Sequence, residues 1–244
     1  TTPAAVATVG AAQAEVPSDA KKRDWNVSFT PYIWAAGVEG ELQIPVAGAK
    51  VDIDRSFSDI LGNLKFTFMG ALDVEYNRFV GIADVVYLNT KAKADDIEHP
   101  LLNAGKVKAQ TFVVSGAVGY RIVDKGPMFF DVVAGLRHIS LDVDVELTSP
   151  LGAFGTSVSP SEVSPMVGGR ARVPLGARWG VSLYGDVGIK SDLKWQLIGS
   201  LQYALSTHWR AALGYRHMAI HQDRKLSEID LDLSGPILGL SYRF

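Results

Sequence analysis

Two histidines near the C-terminus have the spacing of a helical metal site. His217 and His221 are four residues apart, and Asp223 follows two residues later. On a helix, positions i and i+4 share one face, so the two imidazoles could bind one metal ion. On a strand the same positions lie about 13 Å apart, which is too far for a single ion. Because this segment alternates as a strand, we predict no metal site.

Other Asp and His residues fall where strand ends could gather them at one rim. They are His138, Asp142, Asp144, His217 and Asp223. Asp and His together can activate water for hydrolysis. Solvated strand ends often contain the same residues, and no G-x-S-x-G, phosphate-loop or dinucleotide motif is present. We predict no catalytic residue and no enzyme, with a rim protease or lipid hydrolase as the alternative.

One acidic segment begins like a calcium-binding loop. It is the run Asp52-Ile53-Asp54-Arg55-Ser56. An EF-hand loop needs Gly at its sixth position and Glu at its twelfth, and this chain has Phe57 and Asn63 there. The chain also has no cysteine, which excludes thiolate metal sites and disulfides. We therefore expect neither a metal nor another cofactor.

The main candidate site is a set of charged residues at the polar positions of alternating segments. The acidic members are Asp73, Glu75, Asp84, Asp131 and Asp186; the basic members are Arg78, Arg121, Arg137, Arg170, Arg172, Arg210, Arg216 and Arg243. All the basic members are Arg, whereas lysines collect in the tail and loops. A guanidinium can bind a carboxylate in two places and loses its water at lower cost than an ammonium. If the apolar strand faces contact lipid, this set lines a lumen.

Two interpretations of these charges remain open. In the first, the Arg and carboxylate side chains form a network that plugs and stiffens a barrel in an envelope-structural role. In the second, the excess of Arg lines a narrow, porin-like pore, with a small anionic solute as a possible partner. Barrels of about eight strands are filled by side chains, whereas open channels need about sixteen. A ten-stranded barrel therefore favours the plug.

The elements that must position these charges are strands with one apolar and one polar face. Trp25, Val27 and Phe29 alternate with polar residues, and the same period recurs along the chain. We predict a transmembrane, up-and-down antiparallel β-barrel of ten strands, with twelve or eight as alternatives. The predicted strands are 25–37, 64–76, 78–91, 107–122, 128–145, 162–174, 178–189, 193–205, 208–221 and 228–244.

The connections alternate between short turns and long polar loops, as in outer-membrane barrels. The long loops are predicted at 38–63, 92–106, 146–161 and 222–228, with a tight turn at 190–192. The first loop contains strand-like pieces at 41–44 and 50–53, which could extend a hairpin or raise the strand count to twelve. Loop 146–161 is rich in Ser, Gly and Pro and is expected to be mobile.

Aromatic residues favour a membrane barrel over a soluble one. They lie next to the short turns or the termini: Trp25, Tyr76, Phe79, Tyr120, Phe130, Trp179, Tyr203, Trp209, Tyr242 and Phe244. By parity most belong to the apolar face, which is typical of the aromatic girdle at a membrane interface. A soluble barrel would direct the same face inward and have no use for such a ring.

Composition and the N-terminus limit the remaining possibilities. The net charge is -2, which gives no reason to expect nucleic acid as a partner. The longest uncharged run, 195–209, contains too many polar residues for a spanning helix. Ala12-Gln13-Ala14 resembles a secretory cleavage site. We expect a signal-peptide remnant at 1–14, a periplasmic tail at 15–23 and a barrel at 24–244.

The C-terminal segment 239–244 resembles the last strand of bacterial outer-membrane proteins. Its Tyr242 and Phe244 match the signal that the barrel-assembly machinery reads in that class. The segments 31–37 and 56–61 also resemble an uncharacterised family of small Gram-negative outer-membrane barrels. The resemblance implies outer-membrane lipid, lipopolysaccharide and the assembly machinery as partners, with both termini periplasmic. It implies no specific activity, and a loop-mediated adhesin or receptor remains an alternative.

Overall fold

Thirteen antiparallel strands are present in the part of the chain that the structure describes. A computed structural model describes residues 25–44, 49–55, 64–94, 104–149, 152–189, 194–224 and 227–244. The strands are β1 Trp25–Trp34, β2 Gly37–Ile44, β3 Ala49–Arg55, β4 Leu64–Tyr76, β5 Phe79–Ala94, β6 Ala104–Lys125, β7 Met128–Ser149, β8 Gly152–Val158, β9 Ser161–Pro174, β10 Trp179–Gly188, β11 Lys194–Ala204, β12 Trp209–Arg224 and β13 Ser227–Arg243. No helix in these ranges is both long and apolar enough to cross a membrane. The predicted signal remnant, the tail and the turn at 190–192 lie outside the described residues.

Ten of these strands form a closed barrel. They pair in the order β1-β4-β5-β6-β7-β9-β10-β11-β12-β13, and β13 returns to pair with β1. In the closing pair, Phe29 lies opposite Tyr242 and Trp34 lies opposite Ile237. The predicted fold class and the count of ten are confirmed, and the alternatives of eight and twelve are wrong.

The other three strands extend the sheet beyond the barrel at its long-hairpin end. β2 continues the pairing with β13, from Gly37 opposite Ser234 to Leu42 opposite Ile229, and β3 pairs with β2. β8 pairs with the end of β7. The prediction of a loop at 146–161 is therefore wrong for most of its length. The strand-like pieces predicted at 41–44 and 50–53 are part of β2 and β3, and their period-two pattern is clear in Val51-Asp52-Ile53-Asp54. β8, with the sequence GAFGTSV, lacks a comparable alternation.

Short turns connect the strands at the opposite end, which we call the short-turn end. The hairpin from β4 to β5 turns at Asn77 and Arg78, and Asn77 has a φ of 52°. Asn tolerates this left-handed conformation, which two-residue hairpin turns of the favoured twist require. Both barrel termini, Trp25 and Phe244, lie at this end, since the backbone N–H of Phe244 donates to the carbonyl of Val27.

The outside of the barrel is apolar. Large hydrophobic side chains there are between a third and three quarters exposed, as for Val118 (73%), Leu213 (60%) and Leu136 (57%). The inside contains most of the charged strand residues. This arrangement is the reverse of a soluble barrel and matches a barrel surrounded by lipid.

Two aromatic belts border this apolar surface. At the short-turn end, Trp25 packs on Tyr76 with ring centroids 4.6 Å apart, Phe79 packs on Tyr120 at 5.5 Å, and Trp179 packs on Tyr203 at 4.7 Å. These rings form the belt expected from the sequence. The second belt, on the other side of the apolar surface, was not predicted.

The two belts are separated by a constant number of residues. Four strands each carry an aromatic pair eight positions apart, namely Phe68 and Tyr76, Phe79 and Tyr87, Phe112 and Tyr120, and Trp195 and Tyr203. An even separation places both members of a pair on the same face of their strand. Both belts therefore lie on the outer face, and the eight-residue separation sets the height of the apolar band between them.

The interior of the barrel contains an apolar layer towards the long-hairpin end. Its buried members are Trp34, Ala36, Met69, Val86, Val113 and Met218. Trp34, Val86 and Met218 are each at most 3% exposed. These side chains fill the cross-section of the lumen, as expected for a barrel of about this strand number.

Candidate functional site

The candidate site is a cavity of about 490 Å³ inside the barrel. Its lining includes Gly126, Pro127, Thr207 and His208 from the short turns, so it opens at the short-turn end. Its lining also includes Arg216, but not the apolar layer beyond it. The cavity is therefore a blind pocket, closed in the direction of the long hairpins.

The wall of the cavity carries a group of ion pairs centred on Asp131, which is fully buried. Asp131 Oδ1 accepts a hydrogen bond of 2.8 Å from Arg121 Nε, and its Oδ2 accepts one of 2.8 Å from Arg170 Nη2. Arg121 also donates to Glu75 over 2.7 Å, and Arg170 pairs with Asp73 and Glu75. We call these five residues the Asp131 cluster; it contains three carboxylates and two guanidinium groups.

Local sheet geometry positions the Asp131 cluster. Asp131 lies directly opposite Arg121 on β6 and directly opposite Arg170 on β9. Directly opposite residues in an antiparallel sheet have adjacent side chains on the same face. The ring of Phe129 lies two residues earlier on β7, 4.2 Å from the guanidinium carbon of Arg121 and 5.0 Å from that of Arg170. The face of this ring attracts both cations.

A second group of polar residues closes the inner end of the cavity around Arg216, which is 1% exposed. Arg216 Nη2 donates to Asp84 Oδ1 over 3.1 Å and to Gln196 Oε1 over 2.8 Å, and Nη1 donates to the Tyr32 hydroxyl over 2.9 Å. The Tyr32 hydroxyl in turn donates to Asp84 Oδ2 over 2.6 Å. The guanidinium carbon stands 4.6 Å from the ring centre of Trp34.

Gln196 connects this group to a further ion pair. Its amide Nε2 donates to Asp186 Oδ2 over 2.6 Å. Arg137 Nη2 contacts both oxygens of Asp186, at 2.8 and 2.7 Å, and its Nε donates to Ser115 over 3.1 Å. We call Arg216, Asp84, Tyr32, Gln196, Asp186 and Arg137 the Arg216 layer. Every charge in this layer has an opposite charge within hydrogen-bond distance.

Three arginines at the open end differ from these pairs. Arg172, Arg210 and Arg243 all line the cavity, and each is among the three residues of its strand nearest the short-turn end. We call them the mouth arginines. Within the part of the chain that the structure describes, none of them forms a salt bridge. The Nε atoms of Arg172 and Arg210 are buried without a hydrogen-bond partner, as is that of Arg216, whose terminal nitrogens are paired. Arg243 donates to Asn26 Oδ1 over 2.5 Å.

The predicted charge set therefore divides into three groups, and one residue falls outside it. Arg78 does not face the lumen: it lies in the exposed two-residue turn between β4 and β5. The sequence prediction began β5 at Arg78. In the structure Arg78 is the second residue of the turn, and β5 begins one residue later, at Phe79. The expectation that inward bases are all Arg is also wrong. Lys194, the first residue of β11, is 3% exposed and pairs with Glu162.

Sequence reasoning missed the neutral members of the Arg216 layer. Tyr32 and Gln196 carry no charge and occupy ordinary polar positions of alternating strands. The role of Gln196 depends on strand register, since it lies directly opposite Asp186 on the neighbouring strand, and the role of Tyr32 depends on contacts between strands that are not paired. Period-two alternation reveals neither. Tyr32 is on β1, whereas the Asp84 and Arg216 that it connects are on β5 and β12.

The rim Asp and His residues do not converge. His138 is on the outer face, where its ring packs against Phe112 with centroids 6.3 Å apart. His217 Nε2 lies 3.6 Å from Asp232 Oδ1 and its ring lies 4.8 Å from that of Trp195, while Asp142 and Asp144 are exposed. The segment around His217 is strand β12, as predicted. The side chains of His221 and Asp223 lie outside the described residues, and those that are described include no group of three metal-ligating residues.

The predicted assembly residues lie on the outer surface at the short-turn end. Phe244 is 60% exposed, and its ring contacts that of Tyr242 at 5.0 Å. Tyr242 also packs against Trp209, with ring centroids 4.8 Å apart. Both residues therefore belong to the aromatic belt.

A scan against protein-family models and a search of curated proteins gave no match. Several solved structures resemble the chain. The translocator domain of the autotransporter NalP from Neisseria meningitidis aligns with a TM-score of 0.47 and 11% identity, covering 93% of this chain and 90% of that one. The outer membrane protease OmpT from Escherichia coli gives 0.46 and 9%, covering 92% and 98%. The attachment invasion locus protein Ail of Yersinia pestis gives 0.35 and 13%, covering 91% and 99%. These proteins have different roles, and the likeness concerns architecture.

Proposed function

We propose that this protein is an outer-membrane β-barrel with a closed lumen, which serves an envelope-structural role and does not conduct solutes. The apolar outer surface between two aromatic belts supports the membrane location, because such a surface is costly to expose to water. On this proposal, outer-membrane lipid and lipopolysaccharide surround the barrel. The termini and short turns face the periplasm, as short turns do in bacterial barrels.

One observation carries the non-conducting role. The lumen is filled by two successive layers, first the Arg216 layer and then the apolar layer that contains Trp34 and Met218. Arg216 is 1% exposed and Met218 is 2% exposed. An ion crossing the barrel would have to displace both a buried, salt-bridged guanidinium and a packed hydrophobic layer, at a desolvation cost of several kcal/mol. This favours the plug over the narrow pore.

Single-channel recording of the purified, refolded protein tests this role. We expect the wild type to insert without steady conductance, and the triple variant Trp34→Ala, Met69→Ala and Met218→Ala to conduct because it removes the apolar layer. Leu213→Ala, on the lipid-facing surface, is the matched control and stays closed. Steady wild-type conductance would instead support the narrow-pore alternative.

Membrane location has a separate test. The folded protein is expected to fractionate with the outer membrane and to migrate differently on a gel before and after boiling. Deletion of Phe244 is expected to lower its outer-membrane level, since this residue is the proposed assembly signal. A chain that is soluble without detergent would contradict the location, and an unchanged level after the deletion would contradict the signal.

The enzyme alternative lacks a convergent acid–base pair among the described residues, because the candidate His and Asp side chains lie on the outer face or are exposed. An adhesin or receptor role would use the hairpins β2–β3 and β7–β8, which extend the barrel wall as sheet. No observation names a ligand for these hairpins.

A further inference from the structure

We infer that the blind cavity is a binding site for a small soluble solute that carries a doubly charged oxyanion, of which a phosphate monoester is the model. The mouth arginines bind the anionic group and the deeper wall holds the remainder of the solute. This inference rests on the barrel and its cavity, and holds whether or not the envelope role is correct.

The charges around the cavity leave an unbalanced positive charge at its mouth. The Asp131 cluster has one carboxylate more than it has arginines, and the ion pairs Arg216–Asp84 and Arg137–Asp186 are balanced. The mouth arginines add three positive charges, and the Asp131 cluster contributes one unbalanced negative charge, so the net charge around the cavity is +2. A ligand with two negative charges would therefore neutralise the cavity.

The mouth arginines also have unused hydrogen-bonding capacity. Arg210 lies close enough to Arg172 and Arg243 for the three charges to repel one another. Arg172 and Arg210 are half-buried and Arg243 is exposed. Like charges that are partly removed from water destabilise one another, so an anion between them would be stabilising. A guanidinium offers up to five N–H donors in a planar fork that matches phosphate or carboxylate oxygens.

The geometry of the mouth suits an anion. The bond from Arg243 to Asn26 holds one guanidinium in place through its Nε, which leaves its terminal nitrogens available. Hydroxyl groups line the same space, and they can donate further hydrogen bonds to an oxyanion: Ser28, Ser182, Ser200 and Ser241.

The size and deeper lining of the cavity indicate a solute larger than a bare phosphate ion. About 490 Å³ falls within the range of small-molecule pockets, roughly 300–1,000 Å³. Beyond the mouth, the lining includes the apolar side chains of Ile82, Ile198 and Met166. The solute must be soluble rather than a lipid headgroup, because the ring of strands separates this cavity from the lipid-facing surface.

Calorimetric titration of the detergent-folded full chain tests the inference. The probes are inorganic phosphate and phenyl phosphate, with chloride at the same ionic strength as the background. We expect phenyl phosphate to bind more tightly than inorganic phosphate. The double variant Arg172→Gln and Arg210→Gln is expected to bind phenyl phosphate at least about tenfold more weakly than the wild type. Arg78→Gln, which removes an exposed Arg at the same end, is the matched control and leaves affinity unchanged.

Three results would overturn the inference. The first is a wild type that shows no heat of binding beyond the chloride background. The second is equal affinity in the double variant, whose folding is checked by its gel shift on boiling. The third is competition by short-chain phosphatidic acid without binding of phenyl phosphate, which would assign the arginines to a lipid. If the double variant does not fold, the single variant Arg210→Gln gives the same comparison.

Discussion

The Arg216 layer and the mouth arginines use the same side chain in opposite ways. In the layer, each guanidinium is buried and hydrogen-bonded to a carboxylate, as in the contact of Arg137 with both oxygens of Asp186. At the mouth, Arg172 and Arg210 form no salt bridge with a described residue, and their buried Nε atoms, like that of Arg216, have no hydrogen-bond partner. Both regions belong to one lumen and are separated only by the depth of the cavity.

This difference shows that an Arg-rich lumen need not have one purpose. Paired arginines fix the strands relative to one another, since a guanidinium joined to side chains from several strands restrains all of them. Unpaired arginines weaken the fold locally, and their charge is available to a ligand. Substitutions in the two regions should therefore change stability in different directions.

Removal of Asp131 should have the largest effect. Asp131→Ala removes several charge-assisted hydrogen bonds to Arg121 and Arg170 at a fully buried position, while Glu75 still pairs with both arginines. We therefore expect the free energy of unfolding to fall by about 3–5 kcal/mol. Urea unfolding of the refolded protein in lipid vesicles measures this change. Asp144→Ala, an exposed position on the same strand, is the control and should change stability by no more than about 0.5 kcal/mol. Equal losses in both variants would remove the distinction between paired and exposed charges.

Asp186→Asn should have the second largest effect. It keeps the shape of the side chain but removes the charge that Arg137 contacts twice, and it disturbs the Gln196 amide that connects the pair to Arg216. We expect a loss of about 3 kcal/mol in the same unfolding measurement. Asp142→Asn, at an exposed position, provides the comparison. A loss below about 1 kcal/mol would mean that water reaches the pair and that the Arg216 layer is not a dry plug.

Substitution of a mouth arginine should have the smallest effect and the opposite sign. Arg210→Met keeps the aliphatic stem but removes one of three charges that repel one another. We expect unchanged stability or a gain of up to about 1 kcal/mol at low salt, and the gain should shrink as salt screens the repulsion. A loss comparable to that of Asp131→Ala would show that Arg210 has a structural partner and would place it with the paired arginines.

The sequence predicted the barrel well because lipid imposes a strict alternation. Each strand between the belts must present an apolar side chain at every second position, and nearly all predicted strands begin and end within a few residues of the observed ones. Beyond the apolar band, the β2–β3 hairpin was predicted as one alternative from the strand-like pieces at 41–44 and 50–53, whereas β8 was not predicted as a strand. The error at Arg78 has a local cause. The alternation of β5 can be continued backwards by one residue into the turn, so the pattern alone does not show that the strand begins at Phe79.

The candidate site was only partly predictable. The pairs of Asp131 with Arg121 and Arg170 follow from strand register, because these residues lie directly opposite one another. Two partners of Arg216, Tyr32 on β1 and Asp84 on β5, lie on strands far from β12 in the chain, so only the closed structure brings them to it. The sequence showed an excess of Arg but not its concentration at one end.

The eight-residue separation of the two aromatic belts also determines which bilayer suits this barrel. Eight residues of antiparallel strand measure about 27 Å, and a strand tilt of about 40° reduces this to a height of about 20 Å. A thicker hydrocarbon core would have to thin around the barrel or cover polar groups, each at a small cost per ångström of hydrophobic mismatch. The spacing of a few Phe, Tyr and Trp residues thus selects a thin membrane.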